Sequence, residues 1–287
     1  MGYSKKVLIV TIIVIIGAWI FNVYKFSQVS LEEPVFLKHY IDSTENTVDL
    51  FYIDNALSNA RYDHFTIPKM KSEENWLLEE DNSFLWPDHQ WPYKINKLTV
   101  NFSDVTVSTG EDMEAILEKG QVHMSEICIS PHKGSAFNVD VGDIYLRKSD
   151  TDENHFYEEV DEGSFHQHIG TKTYKANKDI EITGAQGGFL DYINENYYIY
   201  INNKDIAKKD TFPIKVESGK KIEIQYIAKL SNKDRKLGNV NKARITLNII
   251  DKDNNKDYIH CKIGDGEPEF YGKVDMRKLI EELKNNH

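Results

Sequence analysis

The hydrophobic pattern of this chain changes character along its length. It begins with no alternation at all: Val7 to Phe21 reads VLIVTIIVIIGAWIF, uncharged and interrupted only by Thr11 and Gly17. A helix of about 20 such residues crosses the roughly 30 Å hydrocarbon layer of a bilayer. Lys5 and Lys6 precede the run, and Tyr3, Trp19 and Tyr24 are residue types that settle at the membrane–water interface. A cleaved leader would show a small-x-small site after the apolar stretch, whereas NVYKFSQ follows Phe21. The pattern predicts a single retained transmembrane helix, with the lipid bilayer around residues 7–26. The two lysines before the span, against Lys25 after it, orient the short N-terminus to the cytoplasm and the bulk of the chain, from about Gln28, outside.

The last third alternates with a period of two. YYIYIN (197–202), TFPIKVE (211–217), KIEIQYIAKL (221–230), ARITLNII (243–250) and DYIHCKI (257–263) are strand-like runs separated by polar turns. Ile222, Ile224, Tyr226 and Ala228 share one face, as do Ile245, Leu247 and Ile249. A helical period then returns: Asp275 caps an amphipathic segment with Met276, Leu279, Ile280 and Leu283 on one side. That segment is too short to stand alone and is expected to dock on the sheet.

The middle is mixed. Ser30 and Glu33 form a capping box, and Leu37, Tyr40 and Ile41 share a helical face, which predicts a membrane-proximal helix. Val48–Ile53 reads as a strand. Residues 54–94 carry Trp76, Trp86 and Trp91 with two Trp-Pro steps and are expected to be irregular. Strands follow at 95–102 and from 121 onward, with a short helix near 109–120 and Gly142 marking a bulge. Thr171–Tyr174 and Asp179–Thr183 are further strand candidates.

These patterns predict a mainly β chain. An antiparallel β-sandwich-like extracytoplasmic region, one large unit or two small ones with minor helices, follows the N-terminal transmembrane helix. The expected division is 1–27 for the stub and anchor, 28–94 for the membrane-proximal helix and Trp/Pro segment, 95–188 for a β-rich unit, and 189–287 for a sandwich with its C-terminal helix.

Charge narrows the partners. The chain has net charge -11, and its first 29 residues hold three lysines and no acid, so 46 acidic residues face 32 basic ones in the remainder. That excess disfavours nucleic acid and anionic headgroups. Only Cys128 and Cys261 occur. They permit one disulfide outside the cell but do not establish it. Sparse cysteine in an exported chain fits a bacterial envelope protein.

Candidate chemistry is thin. His166 and His168 lie two apart, so on a strand both imidazoles face one side and form the best local metal pair, yet a site needs a third ligand. Asp251, Asp253, Asn255 and Asp257 alternate oxygen ligands as calcium requires, but Lys256 and Lys262 stand where an EF-hand has its glycine and glutamate. Gly184, Gly187 and Gly188 follow a strand, as in a phosphate-binding loop, without the spacing of one. No Gly-x-Ser-x-Gly or His-Glu-x-x-His occurs, no cofactor is predicted, and acidic pairs such as Glu158/Glu159 are expected by composition alone. Aromatic residues are the better interaction candidates: Trp76, Trp86 and Trp91, and Tyr198 with Tyr200 in the run DYINENYYIYIN.

The expected function is a membrane-anchored extracytoplasmic binding or assembly module with a protein partner, either another envelope protein or a wall component. The alternatives are a surface hydrolase acting on polysaccharide or peptide, and an inhibitor or immunity-type protein against a secreted factor.

Overall fold

The computed structural model describes residues 2–27, 29–45, 47–58, 61–67, 76–81, 92–102, 116–117, 121–148, 155–161, 165–166, 169–229, 239–268 and 275–285. The chain is mainly β, with hydrogen-bonded sheets of twelve and six strands. Helix α1 (Gly2–Ser27) contains a 21-residue stretch, Val7–Ser27, that is long and apolar enough to cross a membrane, and none of it is buried in the protein.

The extended segment after the anchor is split between two layers. Strand β1 (Val35–Phe36) pairs antiparallel with β3 (Thr47–Asn55), while β2 (His39–Ser43) pairs parallel with β8 (Phe137–Leu146). Strand β3 continues through β6 (Tyr93–Asn101) to β5 (Trp76–Asp81), and β8 continues through β7 (Val122–Pro131) to β4 (Tyr62–Thr66). Lettered in chain order, these layers are A-B-E-D and C-F-G, an immunoglobulin-like strand order with the second half of A beside G, and the pairing of β4 with β5 joins the layers into one hydrogen-bonded sheet. Phe36, Leu50, Tyr52, Phe65, Leu98 and Ile129 fill it.

A second sandwich follows. One layer joins β9 (Tyr157–Asp161) and β10 (Phe165–His166) to β11 (Ile169–Ala176), then β16 (Lys221–Ala228), β13 (Tyr197–Ile201) and β14 (Lys204–Asp205). The other runs β15 (Ile214–Val216), β12 (Ile180–Gln186), β17 (Val240–Asp251) and β18 (Lys256–Ile263). Alternation decides what is inside: Ile222, Ile224, Tyr226 and Ala228 are buried with Ile245, Leu247 and Ile249, as their period requires.

Strand β17 belongs to both units. Ala243–Ile250 pairs with β18 in the second sandwich, whereas Val240, Asn241 and Lys242 pair in parallel with His39, Tyr40 and Ile41 of β2. Helix α2 (Leu190–Asn196) closes the joint: Tyr192 stacks on Tyr40 at 4.0 Å, and Phe189 meets Tyr40 and Tyr145 edge-on. The Tyr192 hydroxyl donates to Asn241 Oδ1 (2.9 Å), and Lys242 and Lys262 both hold Glu45 of the first unit.

Helix α3 (Met276–Asn285) returns to the first unit. Asp275 caps it through the Arg277 amide (3.1 Å), and Met276, Leu279, Ile280 and Leu283 lie on Leu37, Phe51, Ile53 and Ile95. Strand β3 is therefore buried on both faces, with Val48, Leu50 and Tyr52 in the sandwich and Phe51 and Ile53 beneath the helix.

The expected helix from Ser30 does not form. Pro34 restricts Glu33 to extended backbone, and the apolar positions that mimic one helical face are claimed by separate cores. Leu37 lies under α3, Ile41 in the first sandwich, and Tyr40 against the second. Asn55 fixes the exit by accepting from the Leu31 amide and donating to its carbonyl, both at 2.8 Å. The stretch expected to be irregular contains β4 and β5. The boundary expected at 94/95 falls inside β6, and the one at 188/189 inside the second core. Of the helix expected near 109–120 only residues 116 and 117 are described, and they are helical. Gly142 does lie where β7 and β8 shift register, between Met124 and Glu126. Cys128 and Cys261 are free and occupy different units, and burial pushes the Cys261 thiol up to about 12.

His39 sits at the crossing of these layers, fully buried. Its Nδ1 donates to the Val141 carbonyl and its Nε2 accepts the Phe51 amide N–H, each at 2.9 Å, a set that only the neutral Nδ1–H tautomer satisfies. The ring thus joins β2 to a strand of each layer. Gly142 permits the approach, because a Cβ there would lie 2.4 Å from the His39 carbonyl oxygen, and its φ is +89°.

Burial lowers the His39 pKa from 6.5 to about 4, with the Val141 hydrogen bond opposing the shift. Between those values the unfolded chain binds a proton that the folded chain refuses. The stabilisation is complete above about pH 6.5 and falls away as pH drops to about 4, a loss of roughly 3 kcal/mol. Urea unfolding at about pH 7 and about pH 4.5 will show this fall in the native chain and a smaller one in His39→Gln, which does not titrate. Equal falls in both would contradict the assignment.

Candidate functional site

The outer face of the β11–β16–β13 layer carries the exposed aromatic pair. In β13, Tyr197, Ile199 and Ile201 point into the core, so the pleat turns Tyr198 and Tyr200 outward. Tyr198 is 45% exposed, against 2% for Tyr197. The run divides among three environments, because Tyr192 lies at the joint between the sandwiches and Tyr197 in the second core.

Strand register builds a surface around the pair. Ile169, Ile227 and Tyr198 lie side by side across three strands, and the next row is Thr171, Gln225 and Tyr200. Ile169 is 42% exposed, and Ile227 is partly exposed. The two tyrosine rings lie 6.5 Å apart with planes 27° apart, and Lys229 Nζ stands 4.8 Å over the Tyr198 ring. The same ammonium donates to the Asn194 carbonyl, which anchors it to the end of α2. The face thus offers an aliphatic and aromatic row with a cation at one end, suited to contact with another macromolecule.

Sheet edges offer less. In β18 the carbonyls of Tyr258 and His260 accept the hydroxyls of Tyr157 (2.9 Å) and Tyr174 (3.0 Å) from the opposite layer. Burial raises the pKa of Tyr174, which keeps that hydroxyl protonated and donating. Among the described residues the outer strands β9, β10, β14 and β15 are five, two, two and three residues long. Short or covered edges resist strand addition.

The other sequence candidates separate. Asp251 accepts from the amides of Asp253 and Asn255, from Asn255 Nδ2 and from Lys178, all at 2.9 Å. The Asn255 side chain and then Lys178 hold its carboxyl well below the usual range. Asp257 instead receives the Phe156 amide at 2.7 Å and His155 Nδ1 at 3.1 Å. The alternating acids therefore organise the β17–β18 turn and its neighbour rather than converge on one ion. Among the described residues no group of three or more His, Cys, Asp or Glu could hold a metal ion. His166 pairs through its backbone with Ile169, but its side chain and all of His168 lie outside the described residues, as do Trp86, Trp91 and the Trp76 side chain.

Ile169, Ile227 and Lys229 were not singled out from sequence. One signal was present: in KIEIQYIAKL the outward positions are Glu223, Gln225, Ile227 and Lys229, so Ile227 is an apolar residue in the polar phase.

No protein-family model matches the chain, and no characterised protein matches it. The solved structures that it resembles include the crystal structure of YadV chaperone, at 7% identity over 80% of this chain and 98% of that one, with a TM-score of 0.20. A likeness at that score carries no argument about fold or function.

Proposed function

We propose that this chain is a membrane-anchored extracytoplasmic binding or assembly module, and that the Tyr198–Tyr200 face contacts another envelope protein or wall component. The observation that carries the reading is the row of exposed Ile169 and Tyr198 with partly exposed Ile227 between them, on a layer whose opposite side is packed. Tyrosine supplies large contact area at little cost in conformational entropy, and a row held by backbone register needs no rearrangement to meet a partner. In this reading α1 crosses the bilayer and the sandwiches stand outside. The 21-residue apolar stretch and the lysines before it support that orientation.

Crosslinking and pull-down from solubilised membranes test the face. The native chain will bring down a stoichiometric envelope partner, and Tyr198→Ser with Ile227→Ser will lose it while keeping the native melting profile. Undiminished capture by a folded double variant would remove the face from consideration. Protease added to intact cells tests the orientation: the sandwiches will be digested along with a known surface protein, and protection of the chain while that control is cut would refute it.

A further inference from the structure

On the other layer of the second sandwich, where it meets the first, lies an open cleft of about 730 Å³. The first unit contributes Arg147 and Lys148 from the end of β8, and the second contributes Arg244 from β17. Among the described residues Asp42 is the carboxylate of the lining, and its Oδ1 already holds Arg147 Nε at 2.7 Å. Lys148 and Arg244 are the other cationic side chains of the described lining, so three cations meet here in a chain where 46 acidic residues outnumber 35 basic ones.

The floor is made of backbone. A Cβ at Gly187 would lie 2.6 Å from the Arg244 carbonyl oxygen, and one at Gly188 would lie 3.5 Å from Arg147 Nη2. These are the glycines that follow a strand without phosphate-loop spacing. Their lack of side chains lets the loop lie close to β17 and leaves the Arg147 guanidinium room on the cleft side. Uncharged hydrogen-bonding groups complete the wall, including Gln186 of β12 and Thr246 of β17, whose Oγ1 lies 3.0 Å from His260 Nδ1.

We propose that this cleft binds an oxyanion, the carboxylate or phosphate group of an anionic ligand, between Arg147, Lys148 and Arg244. Guanidinium forks match either group through paired N–H donors. The Asp42 bridge fixes one fork in orientation before any ligand arrives, which lowers the ordering cost of binding. Residues from both sandwiches line the site, so it exists only while they are joined.

Calorimetric titration of the full chain in neutral detergent tests the assignment, with inorganic phosphate and citrate as separate probes. At least one will bind saturably and more weakly as salt rises. The probe that binds identifies the group, phosphate or carboxylate. Arg244→Gln and Lys148→Gln will each weaken it by roughly tenfold, the loss of one charge-assisted contact. Gly188→Val will weaken it by filling the floor without changing charge. Lys204→Gln, on β14 of the opposite layer, will bind as the native chain does. Saturable binding by neither probe, or binding undiminished in the folded Arg244→Gln, Lys148→Gln and Gly188→Val variants, overturns the proposal.

Discussion

The parallel pairing of Val240–Lys242 with His39–Ile41 is the constraint on which the rest of the structure depends. Successive sandwiches in one chain ordinarily meet through modest interfaces and move against each other. Here the long strand β17 leaves its own sheet and completes the edge of another, so backbone hydrogen bonds run without a break from β1 to β15. The Val240 amide donates to the Lys38 carbonyl at 2.9 Å where the strands meet. Tyr40 stacked on Tyr192 then excludes water beside those bonds, and aromatic pairs of this kind contribute about 1 kcal/mol beyond the area they bury.

Other features follow from that joint. Strand β2 is hydrogen-bonded on both sides, by β8 and β17, so His39 at its start is sealed from water and must satisfy both ring nitrogens internally. Val240 also lies beneath α3, so the C-terminal helix packs on the joint as well as on β3. The cleft takes its walls from both units, and the tyrosine face stands on the layer of the second sandwich that does not contain β17.

Much of the architecture was legible in sequence because period-two runs are robust. The inward sets of β16 and β17 and the buried face of α3 are those that alternation and helical spacing predict. Residues 35–43 were not legible, because each apolar residue there answers to a different neighbour and the sum imitates a helix. Strands β4 and β5 were hidden by Pro87, Pro92 and the acids around them; they pair with each other and with β7 and β6, and a strand held by such neighbours needs little local pattern of its own. Tyr198 and the partly exposed Tyr200 were legible as a pair on one face, but which face required the sheet. The cleft was not legible at all, because Arg147 and Arg244 lie 97 positions apart in sequence and only the joint brings them together.

Amide hydrogen exchange of the full chain, resolved to single residues, examines the joint most directly. If the two sandwiches are one cooperative body, the amides at the β2–β17 pairing will exchange as slowly as those of Ile224 and Leu98 in the two cores, and only through global unfolding. Exchange at the pairing that is much faster than in either core, with each sandwich unfolding in its own transition, would show two separate domains in transient contact.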